Sequence, residues 1–230
     1  MKPEQFLRIL SQAGRLKTTT RHCYTESDRK ESVADHSWRI ALMAMLMTGI
    51  EEYRDLDMNK VIRMCLIHDL GESFTGDIPT FEKTDDDAGM EDDLLGNWVH
   101  TFPEPQRSEW TQLLSEMEAL ETRESKLYKA LDKLEALIAH NESDIRTWLP
   151  LEYDLQFKYG QENMQFSEYL KQLRALVDDW SREKIATESE YVHLRAREAA
   201  SGLSHKQPRR PGATGQKGHN GKDTLPIPQN

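Results

Sequence analysis

Met64-Cys65-Leu66-Ile67-His68-Asp69-Leu70-Gly71-Glu72 places an imidazole and two carboxylates at the end of an apolar helical run. Charge on a core-facing helix costs several kcal/mol unless it is paired or bound to a metal. Residues 65, 68, 69 and 72 stand at i, i+3, i+4 and i+7, so one helix face would carry His68, Asp69 and Glu72 into a single cavity. The periodicity predicts this helix over 57–72. Upstream, Ser32-Val33-Ala34-Asp35 has the form of a capping box. It opens a helix to about residue 49, with Ile40, Met43, Ala44 and Met47 on the stripe that begins at His36. Downstream, Leu127, Leu131, Leu134 and Ile138 make the core stripe of a helix over 124–140, with Asp132 on its flank.

The remaining chain reads as further helix. Phe6, Ile9, Leu10 and Ala13 are helically spaced, and Gly14 is a stop signal. Helical patterning is predicted at 94–99, 105–120, 151–159, 166–180 and, more weakly, 183–199. A loop is expected over 73–93, with the triple acid Asp85-Asp86-Asp87 solvated within it. No segment shows sustained alternation of period two, so the expectation is an all-α fold without strands. There is no internal repeat.

Length and composition fit one domain with an appendage. The chain has 230 residues and a net charge of −10. From residue 200 onward five Lys or Arg face one Asp, so the rest of the chain is more acidic than the total. An acidic body repels nucleic-acid backbone, and duplex binding is not expected. No run approaches the ~18 apolar residues of a membrane span, and residues 1–10 lack the apolar core of a signal peptide. Cys23 and Cys65 are the only cysteines. No disulfide framework is implied, and a cytoplasmic location is expected. Residues 201–230, rich in Gly, Pro and Lys, cannot bury enough surface to offset their ordering entropy and are expected to be a disordered tail.

His36, His68, Asp69 and Asp132 form a candidate site of two imidazoles and two carboxylates for one divalent ion: Mn, Fe, Co, Zn or Mg. Such an ion polarises a phosphoryl oxygen and lowers the pKa of water. Glu72 and Asp77 then become candidates for the acid and the base, and spacing does not say which is which. Of the eight histidines, only His22, His36 and His68 fall near these segments, so a single metal is favoured.

Two longer stretches carry a resemblance. Glu31-Ser32-Val33-Ala34-Asp35-His36-Ser37-Trp38-Arg39, followed by His68-Asp69-Leu70-Gly71-Glu72-Ser73-Phe74-Thr75-Gly76-Asp77-Ile78-Pro79, resembles the HD-domain phosphohydrolase superfamily, nearest to its 5′-deoxynucleotidase branch. Leu127-Tyr128-Lys129-Ala130-Leu131-Asp132-Lys133-Leu134-Glu135 is similar to the helix that carries the family's last metal ligand. The resemblance covers roughly residues 5–180. It implies an HD-domain helical bundle over 1–182, followed by a charged helix over 183–200 and the tail. It makes His36, His68, Asp69 and Asp132 the metal ligands, with Glu72 and Asp77 serving the attacking water and the leaving group. It places Arg21 on the phosphate and Thr80 and Lys83 along the phosphate side of the pocket. Where the family carries a Trp beside the sugar, this chain has His22.

The activity so implied is removal of the 5′-phosphate from (deoxy)nucleoside monophosphates by a homodimer that binds this small-molecule substrate. The alternatives are hydrolysis of another phosphate ester, such as a nucleoside triphosphate or cyclic nucleotide, and a non-catalytic nucleotide-binding module. Arg21 and Lys83 alone supply little positive charge for a triphosphate, which weighs against that alternative.

Overall fold

A computed structural model describes residues 1–25 and 29–200, with side chains to residue 189. The expected disordered tail lies outside the described residues. The chain divides into a compact unit, Met1–Val192, and a remainder, His193–Asn230, described only as the helical end that reaches Ala200.

Three helices build the centre of the compact unit: α2 (Val33–Met47), α3 (Met58–Ile67) and α7 (Arg123–Glu142). Each starts where a short polar side chain caps it. Ser32 Oγ accepts from Asp35 N at 3.1 Å, while Asp35 returns the bond to Ser32 N at 2.9 Å. Asp57 and Thr122 cap α3 and α7 through Lys60 N and Ser125 N, both at 3.1 Å. The stripes expected from spacing meet in one core: Ile40 and Ala44 of α2, Val61, Met64 and Cys65 of α3, and Leu127, Leu131 and Leu134 of α7 are all fully buried. Each such side chain contributes on the order of 1.5–3 kcal/mol of burial. That core fixes the register of the helices, and hence of the polar residues at one end of their stripes.

Around it lie α1 (Pro3–Ala13), α4 (Glu72–Thr75), α5 (Asp85–His100), α6 (Gln106–Ala119), α8 (Glu152–Lys158) and α9 (Glu168–Ala200). No helix among the described residues is long and apolar enough to cross a membrane.

The all-α expectation holds with one exception, and several boundaries move. Thr20–Tyr24 (β1) and Lys30–Ser32 (β2) pair antiparallel, with Thr20 opposite Ser32 and Tyr24 opposite Lys30. Strands of five and three residues are too short to display alternation, and pairing rather than pattern defines them. The helix expected over 57–72 stops at Ile67. Leu70 N bonds Ile67 O and Glu72 N bonds Asp69 O, both at 3.1 Å, so the chain tightens into i→i+3 turns before α4. Gly71 lets that turn pass close to α5: a Cβ there would lie 2.4 Å from Glu91 Cγ.

Asp85-Asp86-Asp87 is the first turn of α5 rather than loop. Thr84 caps it in a box with Asp87, and three carboxylates suit the positive end of the helix dipole. The two stretches expected at 166–180 and 183–199 form the single helix α9.

Candidate metal centre

The polar ends of the α2, α3 and α7 stripes converge. His36 is fully buried on α2, and its Nε2 lies 3.4 Å from Asp132 Oδ1 on α7 and 3.8 Å from Asp69 Oδ2. His68 Nε2, in the turn after α3, lies 3.0 Å from Asp69 Oδ2 and 3.8 Å from Asp132 Oδ1. His36, His68 and Asp69 offer ligand atoms that all lie within 4.8 Å of one another.

The remaining ring nitrogens orient both imidazoles. His68 Nδ1 donates to the Cys65 carbonyl oxygen at 3.0 Å, and His36 Nδ1 makes a short hydrogen bond to the buried Glu135 carboxylate. Each Nε2 is thereby turned to the shared point, buried and without a hydrogen-bond partner. Two orphaned imidazole nitrogens facing two carboxylates are a donor set that fits a divalent ion, and native proteins rarely leave such atoms unsatisfied for no purpose.

The carboxylates are held ionised. Burial pushes Asp69 up, but His68 and His36 outweigh it, leaving Asp69 well below the usual carboxylate range. Asp132 is likewise held far down against burial, by Lys133 and Lys129, whose Nζ atoms stand 3.3 and 3.1 Å from its Oδ2. A second acidic grouping, Glu31, His36 and Glu135, lies behind the first. Its members are in charge pairs within the protein: Glu31 Oε2 sits 3.1 Å from Arg21 Nε, and Glu135 holds His36.

The convergence point opens into a cavity of about 420 Å³, with Asp69 and Asp132 in its wall. All the other expected site residues, Arg21, His22, Glu72, Asp77, Thr80 and Lys83, line it too. Arg21, on β1, has NH1 3.8 Å from Asp69 Oδ2. Burial opposes its charge, and Asp69, Glu135, Glu31 and Asp77 outweigh that and raise its pKa further. Glu72 is pushed up to about 10, first by burial and then by the charges of Asp69, Asp77 and Glu91. Asp77 is also raised by burial, while Arg21 pulls it back. Lys83 reaches the cavity but donates to Glu91 at 2.6 Å. Thr80 Oγ1 lies 3.2 Å from Tyr159 OH.

Several residues were not legible in the sequence. Lys129 and Lys133 flank Asp132 along the chain with no pattern that marks them; both line the cavity beside it, and Lys133 donates to Tyr159 OH at 2.8 Å. They bring the basic residues of the cavity to Arg21, Lys83, Lys129 and Lys133, which removes the charge argument against substrates with several phosphates. His140 also reaches the cavity, although it lies far from every motif. Its position eight residues after Asp132 on α7, two turns along the same face, was the available signal. Nothing local along the chain marks Glu135 as the partner of His36.

Comparison with known proteins agrees with this architecture. A family model described as HD domain matches residues 13–174. The human protein 5′-deoxynucleotidase HDDC2 is 32% identical over 140 residues, which are 60% of this chain and 66% of the relative. The Dictyostelium discoideum protein of the same name is 30% identical over 141 residues, 58% of this chain and 74% of that one. A solved structure from Magnetospirillum magnetotacticum MS-1, described as a predicted metal-dependent phosphohydrolase, superposes with a TM-score of 0.66 at 26% identity, covering 79% of this chain and 93% of that one. The matched segment contains Arg21, the buried imidazoles and every carboxylate that faces them, and on that ground the chain belongs to the HD domain family.

Proposed function

We propose that this protein is a metal-dependent phosphohydrolase that removes the 5′-phosphate from nucleoside and deoxynucleoside monophosphates. The observation that carries this reading is the pair of buried, unpartnered Nε2 atoms of His36 and His68 facing Asp69 and Asp132 beneath a cavity that Arg21, Lys83, Lys129 and Lys133 help to line. The names of its relatives support the substrate class.

His36, His68, Asp69 and Asp132 would hold one divalent ion, which when bound would polarise a phosphoryl oxygen and lower the pKa of water. Arg21 binds the phosphate oxygens and stabilises the charge that develops on them. Lys129 and Lys133, which the ion would relieve of part of their hold on Asp132, face the same oxygens. Glu72, pushed up to about 10, holds a proton at neutral pH and donates it to the leaving oxygen. Asp77, kept closer to ionised by Arg21, accepts the proton of the attacking water. Thr80 and Lys83 border the phosphate side.

The unit that does this work is taken as residues 1–182, with 183–200 as a charged helical extension and 201–230 as a tail. The cytoplasm is the proposed compartment, consistent with Cys23 and Cys65 being buried free thiols. A homodimer is part of the proposal. α2 leaves Trp38, Leu42 and Met45 exposed opposite His36, an apolar stripe suited to a second copy of the chain.

The test is phosphate release from ribo- and deoxyribonucleoside 5′-monophosphates by metal-stripped protein, with Mn, Co, Mg or Zn added back. Asp69→Ala is the silent control. Metal-dependent release that disappears in the control is expected; no release from any monophosphate would sink the proposal. Release from di- or triphosphates instead would favour the second reading, which rests on Lys129 and Lys133.

A further inference from the structure

The ammonium of Lys133 makes its shorter polar contact with a neutral oxygen. Its Nζ donates to Tyr159 OH at 2.8 Å, while Asp132 Oδ2 stands 3.3 Å away. Charge-assisted N–H···O bonds usually close to about 2.7–2.9 Å. The same carboxylate oxygen also faces Lys129 Nζ at 3.1 Å, and Asp132 Oδ1 is turned to the two imidazoles. One carboxylate therefore serves two ammonium groups as well as the metal centre. Arg21 and Lys83, by contrast, pair with Glu31 and Glu91. Tyr159 and Asp132 account for two of the three donors of the Lys133 ammonium, which leaves one for an anion in the cavity.

Tyr159, which follows α8 and lines the cavity, is itself anchored. Its carbonyl oxygen accepts from Arg174 NH1 at 2.6 Å. Arg174 is 2% exposed and is fixed in turn by Asp178 at 2.7 Å and by the Gln156 carbonyl oxygen at 3.0 Å. The Tyr159 ring centroid stands 4.8 Å from Lys133 Nζ, a cation–π distance. An ammonium only donates, so the phenol oxygen accepts from Lys133 and keeps its own proton for Thr80 Oγ1, 3.2 Å away. Thr80 belongs to the segment between α4 and α5, which also carries Asp77 and Lys83. One hydroxyl thus joins that segment to the helix that bears Asp132.

We propose that Tyr159 is a positioning residue of this site: its hydroxyl holds the Lys133 ammonium off Asp132 and presents it, beside Thr80, to a phosphate in the cavity. Without the hydroxyl, Lys133 would close on Asp132 Oδ2, and a metal ligand rather than the substrate would neutralise its charge. The inference rests on the proposed function for the presence of a phosphate. Its test reads both turnover and the binding of inorganic phosphate, so the two can fail separately.

Wild type, Tyr159→Phe, Lys133→Met and the double variant are compared as Mn-loaded proteins, with melting curves to show that each is folded. Tyr159→Phe keeps the ring and removes only the hydroxyl. A hydrogen bond to a charged group is worth about tenfold or more in affinity, so calorimetric affinity for inorganic phosphate should fall about tenfold. kcat/KM for nucleoside monophosphates should fall about as far, and through KM, because the phosphate is charged before the reaction as well as during it. Lys133→Met should lose at least as much. Adding Tyr159→Phe to it should cost less than about threefold more, a coupling that a merely structural tyrosine would not show. Phosphate affinity within about threefold of wild type in Tyr159→Phe or in Lys133→Met overturns the inference, as does a larger further loss in the double variant, or a wild type that binds no phosphate. Phosphate binding with the expected coupling, but no hydrolysis of any monophosphate, would sink the nucleotidase reading and keep the positioning role.

Discussion

Glu135→Gln isolates how much of the metal centre depends on a residue that would not itself bind the ion. Glu135 is fully buried, accepts a hydrogen bond from His36 Nδ1, and has its other oxygen 3.5 Å from Arg39 Nε. The carboxylate orients the imidazole and makes Nε2 a stronger donor. Loss of such a support typically costs about 10–100-fold in metal affinity. At about 1.4 kcal/mol per factor of ten, that is roughly 1.4–2.8 kcal/mol.

The same quantity appears in unfolding, because an ion bound only to the folded state stabilises it in proportion to the logarithm of its affinity. A chain of this size shifts by about 2–4 °C per kcal/mol, so the rise in Tm on adding metal should shrink by about 3–11 °C. The amide still accepts one hydrogen bond, so metal-free Glu135→Gln should lose only about 1.5–3 kcal/mol. Glu135→Leu, which strands the imidazole N–H, should lose about 3–5 kcal/mol. Competition against a chromophoric chelator gives the affinity, and thermal melts with and without metal give the stability. Metal affinity in Glu135→Gln within twofold of wild type would refute the assigned role.

Four further outcomes are expected. Asp132→Asn should abolish metal-dependent phosphate release while leaving the far-ultraviolet circular dichroism unchanged. Glu72 is a carboxyl whose folded pKa, about 10, stands above its ordinary 4.5, so the folded state holds a proton that the unfolded chain releases between those values. Metal-free wild type should therefore lose stability relative to Glu72→Gln as pH rises from about 5, at up to about 1.4 kcal/mol per pH unit, with no difference below pH 4; a flat difference in urea melts at pH 4, 6 and 8 would contradict this. Gly160→Ala should destabilise and raise KM together, since Gly160 has φ +67° and a Cβ there would stand 2.5 Å from Lys133 Cβ, beside Tyr159. Met45→Glu on the exposed face of α2 should leave the far-ultraviolet circular dichroism unchanged and convert a dimer to a monomer in sedimentation.

The amino-acid sequence by itself determined the helical class, the cap at Ser32 and the core stripes of α2 and α7, and it brought forward His36, His68, Asp69 and Asp132, with Glu72 and Asp77, as candidates. These are local properties: a period of 3.6, a cap and its partner three residues on, or polar groups at the end of an apolar run each occupy one stretch of chain. Arg21, His22, Thr80 and Lys83 came from resemblance to a family, because a short polar segment has no periodicity to place them. Only the tertiary structure decided the rest. The β1–β2 pairing depends on residues six to twelve apart finding each other, and the turn after Ile67 depends on the close approach of Gly71 to Glu91. Glu135 supports His36 across 99 residues, and Glu152 meets His22 from a helix more than a hundred residues away. Lys129 and Lys133 are ordinary surface charges until the packing of their helix turns that face into a cavity wall. Charges, burial and orphaned nitrogens acquire chemical meaning from what stands within about 4 Å, and that distance is set by packing rather than by order along the chain.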